Sequence, residues 1–170
     1  MLFSFINKYK NNALLALLLF FTAFVDADNK VSIVGLHEKH NPQTAEVSYV
    51  EKPAVYPENL PFSEIVRLND TLYLSGMIPV EPGSIKLVKG GIKEQSHQVM
   101  TNIRSMLEAN GYSMKNLVKC TVMLSDISQW GEFNKVYQEY FTAPYPARSA
   151  MGVNGLALGA LVEVECIGSV

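Results

Sequence analysis

The chain has 170 residues, 48% of them hydrophobic and 18% charged. That is enough for one domain with a real apolar core and too little for two. The formal net charge is −2, and no face collects the clustered Lys and Arg that electrostatic binding of nucleic acid requires.

The first residues differ from the rest. Lys8 and Lys10 precede an apolar run from Ala13 to Val25, interrupted only by Thr22, and Val25-Asp26-Ala27 offers small side chains for cleavage. A charged start, a 13-residue apolar core and a small-residue exit predict a secretory signal peptide over residues 1–27. The run is short of the roughly 20 residues that span a bilayer, which argues against a retained anchor. Removing it leaves no membrane-spanning segment, and the mature protein is expected to be secreted or periplasmic. Residues 28–46 read as an N-terminal arm with little apolar periodicity. His37 and His40 lie within it, but two histidines without a third ligand read as solvated loop, and no metal is expected.

The domain is expected to span residues 47–170. Ser63–Leu68 and Thr71–Ser75, separated by Asn69-Asp70, predict a two-residue hairpin. Ser75-Gly76-Met77-Ile78-Pro79 ends the second strand in residues that break pairing. Ile92, Val99, Ile103, Met106 and Leu107 fall at helical spacing, with Gly111 where a C-terminal cap belongs. His97 lies off that stripe and is expected to face solvent. Leu117–Leu124 predicts a strand. Asp126 or Ser128 can cap a second helix whose Trp130, Phe133, Tyr137 and Tyr140 form an aromatic stripe expected in the core. A proline-punctuated loop, Thr142–Pro146, leads to a strand over Arg148–Val153, and Gly155–Gly159 turns the chain. In the last strand, Leu161–Ile167, Val162, Val164 and Cys166 face one way and Glu163 and Glu165 the other.

Strands interleaved with helices in this order predict an α+β fold, a mixed sheet with two helices on one face. The helices should cover the Val162/Val164 side, and the side bearing Glu163 should be solvated or meet another subunit. Cys120 and Cys166 both sit in strand-like runs. An exported protein can oxidise such a pair, but the strict geometry of a disulfide favours two buried thiols.

Arg148 follows Pro144-Tyr145-Pro146 and carries a planar fork suited to two-point capture of a carboxylate. It could equally form a structural salt bridge, with Glu163 a candidate partner. Glu163 could be a solvated surface carboxylate or, partly desolvated, a proton shuttle with a raised pKa.

Four segments together resemble the RidA/YjgF family in order and spacing. They are Ser75-Gly76-Met77-Ile78-Pro79, Asn134-x-x-Tyr137-x-x-Tyr140-Phe141, Pro146-Ala147-Arg148-Ser149 and Val162-Glu163-Val164-Glu165-x-Ile167. The resemblance implies a chorismate-mutase-like fold, a homotrimer with clefts between subunits, and hydrolysis of 2-imino or enamino acids to 2-oxo acids and ammonia without metal or organic cofactor. It implies that Arg148 holds the substrate carboxylate, Glu163 activates water, and the backbone of Ser75 and Gly76 lines the pocket. Two positions depart from the family pattern. Phe62 stands where a tyrosine is usual, and Ala150 where a cysteine is usual, two residues after Arg148. Both would lie at the substrate. The alternative on the same fold is a non-catalytic member that binds small carboxylates or other proteins.

Overall fold

The computed structural model describes residues 24–25, 31–32, 44–49 and 54–170. Near the N-terminus, β1 (Phe24–Val25) and β2 (Val31–Ser32) form a two-residue antiparallel ladder. The remainder of the expected leader and most of the expected arm, with His37 and His40, lie outside the described residues. Among the described residues no helix is long and apolar enough to cross a membrane. None of their His, Cys, Asp and Glu side chains gather into a group of three that could hold a metal ion.

The compact unit runs from Thr44 to Val170. Its strands are β3 (Val47–Tyr49), β4 (Ile65–Leu68), β5 (Thr71–Leu74), β6 (Leu117–Leu124), β7 (Ala147–Gly152) and β8 (Val162–Ser169). They form one sheet in the order β3-β4-β5-β8-β6-β7. Only β6 and β7 are parallel. The hairpin expected between β4 and β5 forms with Leu68 opposite Thr71 and Asn69 at φ +51°. The Asn69 side chain accepts the Glu46 N–H, which ties the entry to the short, exposed β3 to the hairpin tip.

Two helices cover one face: α1 (Ile92–Ala109) and α2 (Trp130–Glu139). The expected cap at the end of α1 is a complete Schellman motif. Gly111, at φ +79°, donates its N–H to Glu108 O, and Tyr112 donates to Leu107 O. Val99, Ile103, Met106 and Leu107 of α1 are buried with Leu72 and Leu74 of β5, Val122 and Leu124 of β6, and Val162 and Val164 of β8. The alternation read in the last strand is therefore the actual one. The opposite face leaves large apolar side chains in the open, among them Tyr73, Ile167 and Met151.

Three expectations are corrected. His97 is half-buried rather than solvent-facing, because α2 crosses α1 there and the Tyr140 hydroxyl donates to the His97 carbonyl at 3.0 Å. Trp130 is not core. Asp126 caps a single 3-10 turn (Ile127–Gln129) ahead of α2, and this holds the start of the helix at the rim of the sheet, leaving the indole exposed. Cys120 and Cys166 are joined in a disulfide instead of remaining thiols. The two meet because β8 inserts beside β6 in a register that sets them directly opposite, Cα atoms 4.1 Å apart.

That bond closes a loop of sequence separation 46 at the centre of the sheet. Replacing both cysteines with alanine is expected to lower the unfolding free energy by about 2–4 kcal/mol, the range for loops of this size. Urea titration under non-reducing conditions measures it, and an unchanged midpoint would contradict the role given to the bond.

Candidate active site

The sequence-predicted residues fall into two groups. The first surrounds Arg148, near the start of β7. Its register partner is Cys120, so its side chain points to the helical face, where α2 passes. Trp130, Asn134 and Tyr137 recur there at intervals of four and three, one stripe of the helix. An Nη of Arg148 donates to Asn134 Oδ1 at 2.7 Å. The guanidinium carbon stands 4.5 Å from the centroid of the Tyr137 ring and 5.8 Å from that of Trp130. Stacking on an aromatic face contributes roughly 0.5–2 kcal/mol and orients the fork without consuming its N–H donors. Asn134 takes one of them, and among the described residues no carboxylate takes the others. Burial pushes the Tyr137 hydroxyl above its ordinary pKa, partly offset by Arg148, and among the described residues it has no hydrogen-bond partner. Ala150 lies two residues along the same side of β7. Arg148, Ala150, Trp130 and Ile127 line an open hollow of about 490 Å³.

The second group surrounds Glu163. Met77 and Val164 exchange both backbone hydrogen bonds, at 2.9 and 3.0 Å, which lays Gly76 against the neighbouring Glu163. A side chain at Gly76 would push the Glu163 carboxylate aside: a Cβ there would stand 2.0 Å from Glu163 Oε1. Glycine is needed here for close approach, the role its place in the Ser75-Gly76 pair suggests. Partial burial pushes the Glu163 carboxyl above the ordinary glutamate value, and Glu165 adds to the rise. The Ser75 hydroxyl donates to Ser63 O at 2.7 Å and ties this strand end to the Phe62–Ser63 segment.

Two residues of this group escape sequence reasoning. The Tyr56 hydroxyl accepts from Ile78 N–H and donates to Gly76 O, both at 3.1 Å, clamping the backbone beside Glu163. Its ring meets Phe62 edge-on at 5.3 Å. Burial, with the nearby Glu163 and Glu64 charges, raises its pKa against the lowering effect of the Ile78 bond. Glu64 is buried and accepts the N–H groups of Ala54, Val55 and Tyr56 at 2.8, 2.8 and 2.6 Å. Three charge-assisted bonds, each contributing about 1.5–3 kcal/mol, offset the several kcal/mol that burying a carboxylate costs. Tyr56 sits in an irregular segment with no periodicity to flag it. The only available signal for Glu64 was a charged residue just before the apolar β4.

The structure does not bring the two groups together within one chain. Arg148 points to the helical face. Glu163, paired with Met123 and alternating with the buried Val162 and Val164, points to the other, and β6 runs between their strands. The intramolecular salt bridge between them is thus excluded by sheet geometry. Arg148 and Ala150 lie together on the helical side, and Glu163 and Gly76, with Ser75 and Phe62 tied to them, lie together on the other.

The family model described as Endoribonuclease L-PSP matches residues 53–170. A RutC family protein of Pyrococcus horikoshii is 39% identical over 121 residues, covering 68% of this chain and 96% of its own. The 2-iminobutanoate/2-iminopropanoate deaminase of Bos taurus is 42% identical over 107 residues, covering 63% of this chain and 78% of its own. The crystal structure of RidA from an Antarctic Psychrobacter superposes with a TM-score of 0.67 at 32% identity, over 72% of this chain and 99% of that one. The chain belongs to the RidA/YjgF (endoribonuclease L-PSP) family.

Glu64→Gln replaces one acceptor oxygen with an amide that cannot accept. It is expected to cost about 2–3 kcal/mol by leaving a buried N–H unpaired, read as a lower urea midpoint. A change below about 0.5 kcal/mol, the size of an ordinary surface substitution, would show that Glu64 does not hold the segment.

Proposed function

We propose that the protein is an exported imine/enamine deaminase whose active site is completed between subunits of a homotrimer, Arg148 of one copy facing Glu163 of the next. One observation carries this reading. The anion-binding half and the carboxylate half are each built, yet they lie on opposite faces of one sheet and need a second copy to meet. The exposed apolar side chains on the Glu163 face support an intersubunit surface, and the similarity to the bovine deaminase supports the chemistry. Export rests on the leader at residues 1–27 and gains support from the Cys120–Cys166 bond, since disulfides persist in oxidising compartments.

In this site Arg148 binds the substrate carboxylate through its two-pronged fork. Glu163 takes a proton from water as the oxygen attacks C2 of the protonated imine. The carboxyl returns that proton to nitrogen, the C–N bond breaks as C=O forms, and the proton left on oxygen departs with ammonia. An iminium and one water thus become a 2-oxo acid and an ammonium ion. The chain's own residues suffice for these steps, because a protonated imine is already a strong electrophile. Phe62 contributes no hydroxyl, and the nearby Tyr56 hydroxyl is committed to backbone. That pairing favours, as a second reading, a member that binds small carboxylates without turning them over.

The test generates 2-iminopropanoate in situ with an amino-acid oxidase and follows its loss. Wild type should accelerate it, and Arg148→Ala and Glu163→Gln should each reduce the acceleration at least a hundredfold, within the range general acid–base groups contribute. Refolding the two inactive variants together in equal amounts should restore about a quarter of wild-type activity, because a quarter of randomly assembled interfaces combine an intact Arg148 with an intact Glu163. No recovery would place both residues of each site in one chain. Binding without acceleration would leave the second reading standing.

Glu163 sets a pH dependence. Only its ionised form accepts a proton, so kcat/KM should fall as pH drops through the pKa of its carboxyl, which partial burial and Glu165 raise and the facing Arg148 of the next copy lowers. Residual activity in Glu163→Gln that keeps the same acidic limb would remove Glu163 as the base.

A further inference from the structure

The hollow beside Arg148 is larger than a three- or four-carbon imino acid needs, and apolar side chains share its lining with the guanidinium. Along β7, Arg148, Ala150 and Gly152 succeed one another on the helical side, opposite Cys120, Val122 and Leu124. Ala150 is small, so the floor next to the guanidinium is low. Gly152 closes the far end, where an added Cβ would come 3.0 Å from Ile127 Cβ. The walls are Ile127, on the capped turn before α2, and Trp130, the first residue of α2, 51% and 43% exposed. Two large apolar side chains held half-open beside a cation form an amphipathic receptor, with a charged end for a carboxylate and an apolar end for a side chain. Two residues along a strand span ~7 Å, about the length of a carboxylate with a benzyl group. The hollow, about 490 Å³ and open to one side, can admit such a group.

We propose that this hollow receives the substrate side chain and that the preferred substrates are 2-imino acids with bulky apolar side chains, aromatic above all. Reactions that oxidise aromatic or branched-chain amino acids at the α-carbon supply imines of this class. Trp130 and Ala150 are then specificity-determining, Trp130 by offering an aromatic wall and Ala150 by leaving the floor clear. The reaction rests on the deaminase reading, whereas the class of ligand rests on the hollow itself.

Trp130 is the only tryptophan in the chain, so its fluorescence reports on the hollow directly. The full-length protein is titrated with 3-phenylpropanoate and with propanoate, stable probes that differ only in the aromatic group. 3-Phenylpropanoate should perturb Trp130 emission with a Kd at least tenfold below that of propanoate. Arg148→Ala should abolish both responses, and Ala150→Leu should collapse the ratio of the two constants toward one. Where Ala150→Leu fails to fold, Ile127→Ala removes the opposite wall and should narrow the ratio at least threefold. In parallel, kcat/KM for the imine formed from phenylalanine should exceed that for the imine formed from alanine at least tenfold. Equal constants for the two probes, or a ratio that survives both variants, would overturn the assignment. Turnover without preference for the aromatic imine would overturn it while leaving the deaminase reading intact. Selective binding without turnover of any imine would do the reverse, overturning the reading and leaving the ligand class.

Discussion

The insertion of β8 between β5 and β6 is the constraint on which the rest depends. A strand paired on both edges has its register specified twice, and a slip of one residue would turn every side chain to the wrong face. With Tyr73 opposite Ile167 on one edge and Cys120 opposite Cys166 on the other, Val162 and Val164 must point into the helices. Burying each contributes roughly 1.5–3 kcal/mol, far more than Glu163 could gain by facing inward unpaired. The same register holds Met77 against Val164, which leaves Gly76 under the Glu163 carboxylate.

The surroundings of Arg148 and of Glu163 are built by different means, which suits the separate duties proposed for them. Arg148 is oriented by a helix stripe, two aromatic faces and one amide, an arrangement that fixes direction while leaving donors for an anion. Glu163 is confined by backbone. Gly76 lies beneath it, and Tyr56 ties the Gly76–Ile78 segment together from the side. Glu64 then anchors the Tyr56 segment through three N–H groups. Its place in this chain is structural, two contacts removed from Glu163.

Phe62 and Ala150, the two departures from the family pattern, lie on different halves. Phe62 packs edge-on to Tyr56, which clamps the backbone beside Glu163. Ala150 lies in the Arg148 hollow, beside the guanidinium. In the proposed site the first would bear on rate and the second on selectivity.

Periodicity alone determined the α1 stripe, the β4–β5 hairpin and the alternation of the last strand, because each follows from local geometry that repeats within a few residues. Gly111 was legible for the same reason, since a positive φ at a helix end is a local demand. The motifs around Arg148 and Glu163 were legible as a family resemblance, in which the two act as a pair. What only the tertiary structure decided is everything that depends on strand order. Cys120 meets Cys166 although 46 positions separate them, while Arg148 and Glu163, fifteen positions apart in sequence, end on opposite faces. Trp130 leaves the core because a capped turn holds the helix start at the sheet's rim, and Tyr56 and Glu64 gain their roles from a loop folding back on β4 and the β5 end. Distance along a chain carries no information about which strand becomes the neighbour, and that choice is made by the whole apolar core at once.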